Sequence, residues 1–121
     1  MGKSRPKPKP EPALELDYVA ALATANHFLR AWQTNDLETG VLLLTDSARQ
    51  HVEEMTLRNF FRDPAPRAFE IVRGKRLRNG RYSFPVVLVQ KSASGNQAHR
   101  KYSEMIVTRT GKDDWAVDKL P

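Results

Sequence analysis

A chain of 121 residues supports one hydrophobic core, and its 40% hydrophobic and 28% charged residues are those of an ordinary globular domain. No apolar run approaches the roughly 18 residues that a membrane-spanning helix needs, and the absence of cysteine excludes disulfides and thiolate metal sites. The formal charge of +6 is spread unevenly and falls in a terminal tail and one central segment.

Residues 1–13 alternate Pro with Lys3, Arg5, Lys7 and Lys9 and offer no apolar face. Proline favours polyproline II and like charges repel, so this segment is expected to be an extended, solvated linker or disordered tail. It lacks the apolar stretch of a secretory signal. Membrane contact is expected only through an anchor outside this sequence. A bacterial cell envelope and a cytoplasmic location fit the tail equally well. The folded domain is assigned to residues 14–121.

Asp17 to Gln33 reads as the main helix. Tyr18, Leu22, Ala25, Leu29 and Trp32 recur at steps of four, three, four and three, which places them on one face. Ala21 and Phe28 widen that stripe to the breadth of a helix lying on a sheet. Thr34-Asn35-Asp36 interrupts the pattern and supplies capping oxygens for a short helix over Leu37–Leu44. Thr45-Asp46-Ser47 repeats the start signal. A third helix is expected from there to about Phe61, with Ala48, Val52, Met55 and Phe60 or Phe61 as its apolar stripe. The two prolines of Asp63–Pro66 end it.

Beyond this point the period changes to two. Ala68–Leu77 predicts the first strand, and Asn79-Gly80 a hairpin turn with positive φ at both residues. Arg81–Lys91 returns antiparallel, with Tyr82, Phe84, Val86 and Leu88 on one face and Val87 and Val89 on the other. Pro85 has no N–H for a ladder and predicts a bulge or unpaired edge beside it. A loop over Ser92–Asn96, a long strand over Gln97–Thr110 and a last strand over Trp115–Leu120 complete the chain. Helices followed by an antiparallel meander give an α+β fold, N-terminal helices packed on a curved four-stranded sheet.

The order and these residues resemble the NTF2-like (cystatin-like cone) superfamily, especially small bacterial members of undescribed function. The resemblance rests on AxxFLRAWQTND at the end of the main helix, on LETGVLLLTD, on YSEMIVTRTG and on the closing WAVDKLP. It covers roughly residues 17–121 through hydrophobic pattern and turns. It implies a pocket between the main helix and the concave sheet face, with a ligand felt by Tyr18, His27, Trp32, Tyr102 and Glu104. Some members are isomerases, dehydratases or hydrolases, so a lyase, isomerase or hydrolase is one expectation, with Glu104 or Asp118 as the acid–base group. Glu104 lies beside Met105, Ile106 and Val107, and burial there would raise its pKa toward that of a general base. Other members are noncatalytic. The reading preferred for this chain is a noncatalytic domain binding a protein partner or small apolar ligand, with a homodimer through the outer sheet face around Val87 and Val89.

Arg73, Lys75, Arg76, Arg78 and Arg81 crowd the Asn79-Gly80 turn. Such a ribbon beside Tyr82 could hold phosphates of nucleic acid or an anionic surface. Edge protection by exposed charge accounts for it better, and nucleic acid is disfavoured. His27, His51 and His99 are scattered without ligand spacing, and no phosphate-binding glycine motif occurs, so neither a metal nor a cofactor is expected.

Overall fold

The computed structural model describes residues 12–62, 66–91 and 97–121. The tail assigned to residues 1–13 lies almost wholly outside these residues, as does the loop at 92–96. Four helices, α1 (Pro12–Gln33), α2 (Leu37–Leu42), α3 (Asp46–His51) and α4 (Glu54–Arg62), precede five strands. The strands are β1 (Arg67–Ile71), β2 (Lys75–Arg76), β3 (Arg81–Lys91), β4 (Ala98–Arg109) and β5 (Trp115–Lys119). They form one antiparallel sheet in the order β1-β3-β4-β5, with β2 also paired to β3. The fold is α+β, as the order of periodicities requires.

α1 extends five residues before Asp17 and, at about 1.5 Å per residue, is a rod of roughly 33 Å. Its expected stripe is the core: Ala21, Ala25, Phe28, Leu29 and Trp32 are buried, and Tyr18 and Leu22 pack against them from its edge. They meet Tyr82, Phe84, Val86 and Leu88 of β3 and Met105 and Val107 of β4. Each large apolar side chain buried this way stabilises the fold by about 1.5–3 kcal/mol.

Asp36 caps α2, its carboxylate accepting from the Thr39 N–H at 3.1 Å. Hydrogen bonds from the Thr39 side chain and backbone hold that carboxyl below its ordinary pKa. Thr45 caps α3 through the Ala48 N–H at 3.0 Å. The single helix expected from here to Phe61 is instead two, because Val52 adopts an extended conformation (φ −90°, ψ 124°) and breaks it. The break rotates the second half, so Met55 is 63% exposed instead of continuing the buried stripe. Phe61 is buried, and its ring packs where a Cβ on Gly40 would stand, 2.1 Å from Cζ.

The first strand is likewise divided. Ile71 faces Val86 and Lys75 faces Ser83, so four steps along one arm oppose three along the other. This is a bulge of one residue, and it lies opposite Pro85. Pro85 accepts from the Val72 N–H at 2.8 Å but returns no donor, which is why the ladder fails there. The Tyr18 hydroxyl accepts the Gly74 N–H at 3.0 Å, tying the bulge to α1. A side chain at Gly74 would meet Phe84 at 2.4 Å. The turn has positive φ at Asn79 (61°) and Gly80 (68°), but Leu77 bonds to Arg81, leaving three residues in the loop instead of two.

Two sheet edges are defended. The Leu43–Thr45 linker runs parallel to β5: the Val117 N–H donates to Leu43 at 2.7 Å, and Thr45 donates to Val117 at 2.9 Å. β1 is short, ends in the bulge, and its Arg67 carbonyl accepts from Gln33 Nε2 at 2.9 Å.

Arg67, the first residue of β1, is 7% exposed. Its guanidinium donates to the carbonyls of Trp32 and Phe61 and lies 4.9 Å from the centre of the Trp32 ring. It thereby joins the last turns of α1 and α4 to β1. Arg67→Ala is expected to cost about 2–4 kcal/mol in urea unfolding, because two charge-assisted bonds and a stacked side chain are lost. A cost below about 0.5 kcal/mol contradicts that role. Gly40→Ala should destabilise by about 1–3 kcal/mol despite alanine's higher helix propensity, since overpacking against Phe61 outweighs the gain; an unchanged or raised urea midpoint would show that the ring yields.

Candidate functional site

The residues expected to line one pocket are divided between two faces of the sheet. Tyr18 and Trp32 lie on the inner side. Tyr18 packs edge-on to Tyr82, with ring centroids 5.8 Å apart, and lies 5.7 Å from Phe84. Trp32 stacks on Phe60 at 5.8 Å. His27 does not join them. It is exposed on the far side of α1, one step from the buried Phe28.

The interface between α1 and the sheet is packed with side chains. Trp32, Phe84 and Met105 are at most 2% exposed and belong to the same core cluster. Burial raises the Tyr82 phenol pKa, and the Asp17 carboxylate adds to the effect. Asp17 itself pairs with Arg109 at 2.5 Å, and that guanidinium lies 5.0 Å from the centre of the Trp115 ring. Depressions of about 290 and 300 Å³ lie against α2 and α4, lined by Leu37, Val41, Leu57, Arg58, Phe61 and their neighbours, and an open one of about 360 Å³ between α3 and β5 is lined by His51, Val52, Asp118 and Lys119.

Glu104 and Tyr102 are on the other face. Met105 points into the core, so its neighbours Glu104 and Ile106 must point outward. Glu104 accepts from the Ser83 hydroxyl and from Lys119 Nζ at 3.4 Å. These hydrogen bonds, that from Ser83 foremost, pull its pKa below the ordinary glutamate value, with Lys119 and Lys75 adding favourable charge. The expected rise through burial is therefore replaced by a fall, which disfavours a general base. Asp118 accepts from the Thr45 hydroxyl at 2.8 Å and pairs with Arg81 at 3.2 Å. Tyr102 is 72% exposed.

The basic cluster is also redistributed. Arg81 is half-buried and engaged by Asp118, and the charge of Lys75 acts on Glu104. Arg73, Arg76 and Arg78 are exposed about the turn, where a shallow depression is lined by Arg76, Leu77, Arg78 and Asn79. Among the described residues, no three of His, Asp and Glu gather as a metal site.

Two polar knots were not foreseen as such: Ser83 with Glu104 and Lys119, and Thr45 with Asp118 and Arg81. Strand parity pairs Ser83 with Ile106 and so sets its side chain diagonal to Glu104. That register belongs to the long pairing of β3 with β4, which the period of neither strand fixes by itself. Around these knots the outer face carries an apolar strip. Val72, Pro85 and Tyr102 are exposed, and Val87, Val89 and Ile106 are half-buried.

Neither a scan against protein-family models nor a search of curated proteins finds a match to this chain.

Because the folded-state pKa of Glu104 is depressed, its bonds stabilise the fold above the ordinary glutamate pKa, and that contribution is lost as pH falls through the depressed value. In a carbon-detected NMR titration, Glu104 should titrate below the ordinary glutamate range, and Ser83→Ala should move its midpoint upward. A midpoint unmoved by that substitution rejects the hydroxyl as the main cause.

Proposed function

We propose that this chain is a noncatalytic NTF2-like domain that binds protein through its outer sheet face, a second copy of itself being the first such partner. The observation that carries the reading is the contrast between the two faces. The inner face is filled by Trp32, Phe84 and Met105, whereas the outer face leaves the strip of Val72, Pro85, Val87, Val89, Tyr102 and Ile106 without a covering element among the described residues. An antiparallel sheet commonly turns one face to water, and that face is then expected to be polar. Six apolar side chains beside the ion pairs of Glu104 and Asp118 depart from this pattern and resemble an interface core with a polar rim.

The filled interior favours a protein partner over a small apolar ligand, which needs an enclosed cavity. The same packing, and the commitment of Glu104 and Asp118 to ion pairs, argues against a pocket-carboxylate enzyme. Four helices laid on an antiparallel meander suit the NTF2-like arrangement. A tether at the cell envelope through the Pro/Lys segment remains part of the proposal.

Sedimentation equilibrium provides the test. The wild type should sediment at twice the 13.8 kDa chain mass, and the double variant Val87→Glu, Val89→Glu at the chain mass itself, with an unchanged far-UV spectrum. A wild type that stays at 13.8 kDa up to about 100 µM overturns the self-association reading.

A further inference from the structure

β4 is much longer than the strand beside it. It spans Ala98–Arg109, but β5 pairs only with Ile106–Arg109. The Arg109 N–H donates to Gly80, on the β3 side, and the Thr110 N–H donates to Asp114, on the β5 side. Alternation along the strand then aims the N–H and C=O groups of Ala98, Arg100 and Tyr102 away from β3, past the end of β5. Among the described residues, no hydrogen bond reaches those groups on that side. Residues 97–102 are exposed throughout. The β1 edge has Gln33 and the bulge, and the β5 edge has Leu43–Thr45; this one has neither.

We propose that the β4 overhang from Ala98 to Tyr102 is a docking edge for an extended acidic peptide segment of a partner protein, which adds as a further strand beside β4. The inference rests on the reading of the chain as a surface-binding domain and names a second element and a partner chemistry for it. Charge selects the occupant. His99 and Lys101 project from one face of the overhang and Arg100 from the other. A strand laid here therefore meets a cation on whichever face its side chains emerge. The nearest acid on β4, Glu104, is already bonded to Ser83 and Lys119. A second copy is the wrong occupant, because antiparallel pairing of this edge with itself, centred on Arg100, sets Arg100 against its own image and Lys101 against the other copy's His99. Acidic side chains convert that repulsion into cross-strand ion pairs, and Tyr102 offers a neighbour for a β-branched or aromatic residue. The five residues span about 16 Å, enough for a short linear segment.

The probe is a dye-labelled, end-capped peptide of about ten residues alternating valine and glutamate, titrated with the full chain and read by fluorescence anisotropy. Binding is expected, weakening as salt is raised. A matching peptide with lysine for glutamate, and one N-methylated at alternate residues on the pairing edge, should bind at least about tenfold more weakly. Arg100→Pro removes an outward N–H without touching the β3 ladder and should weaken binding to a similar degree. If that variant loses its far-UV spectrum, the exposed pair Arg100→Glu, Lys101→Glu takes its place with the same expected loss.

The proposal is overturned by any of three results: no binding of the glutamate peptide, equal binding of the lysine or N-methylated peptide, or undiminished binding by the folded variant. Peptide failure with the dimer intact removes only the edge. Peptide binding by a chain that sediments as a monomer removes only the face reading.

Discussion

α1 is held across the sheet by polar contacts that reach it from opposite corners. Near its start, the Tyr18 hydroxyl accepts the bulge N–H of Gly74, and Asp17 pairs with Arg109 of β4. At its end, the buried guanidinium of Arg67 binds the Trp32 carbonyl and stacks on that ring. The apolar stripe between these anchors supplies most of the packing energy, but apolar burial is nondirectional and leaves the crossing angle soft. The anchors make it definite. Arg67 also reaches Phe61, so the closing turn of α4 is set by the same side chain.

This placement decides which surfaces are available. Phe28, Trp32, Phe84 and Met105 are buried in one cluster, where large side chains occupy facing positions of helix and sheet. A domain of this layout that enclosed a ligand would need smaller side chains at several of these positions. Here the volume has gone to rings, and the exposed chemistry lies on the outer sheet face and along the β4 overhang. The ion pairs of the outer face are half-exposed, so they contribute little stability on their own. Their consequence is positional: they hold Glu104, Asp118, Arg81 and Lys119 flat around the apolar strip.

The overhang arises from a mismatch of strand lengths. β5 ends soon after the bulge between Ile106 and Val107, where its register with β4 shifts. The linker Leu43–Thr45 runs along the outer side of β5 and does not extend beside Ala98–Tyr102. Two thirds of β4, Ala98–Met105, is therefore paired on one side only, and the charge of its first five residues is of one sign.

Much of this was legible in the residues. The 3.6 period named the buried face of α1 one side chain at a time, and the period of two assigned Tyr82, Phe84, Val86 and Leu88 to the core. Asn79-Gly80 and Pro85 announced the turn and the ladder fault, because both act through their own backbone and need no partner to be known. Period two also contained the answer for Glu104: a carboxylate next to a buried Met105 must face the other way. Tertiary structure alone decided the rest. Whether Arg67 is a surface cation or a buried clamp depends on where two helix ends fall, more than thirty residues away in one case. Whether β4 has an open edge depends on where β5 stops. Local chemistry fixes periods, caps and turns. Long-range register fixes which of the resulting faces meet, and so which remain for a partner.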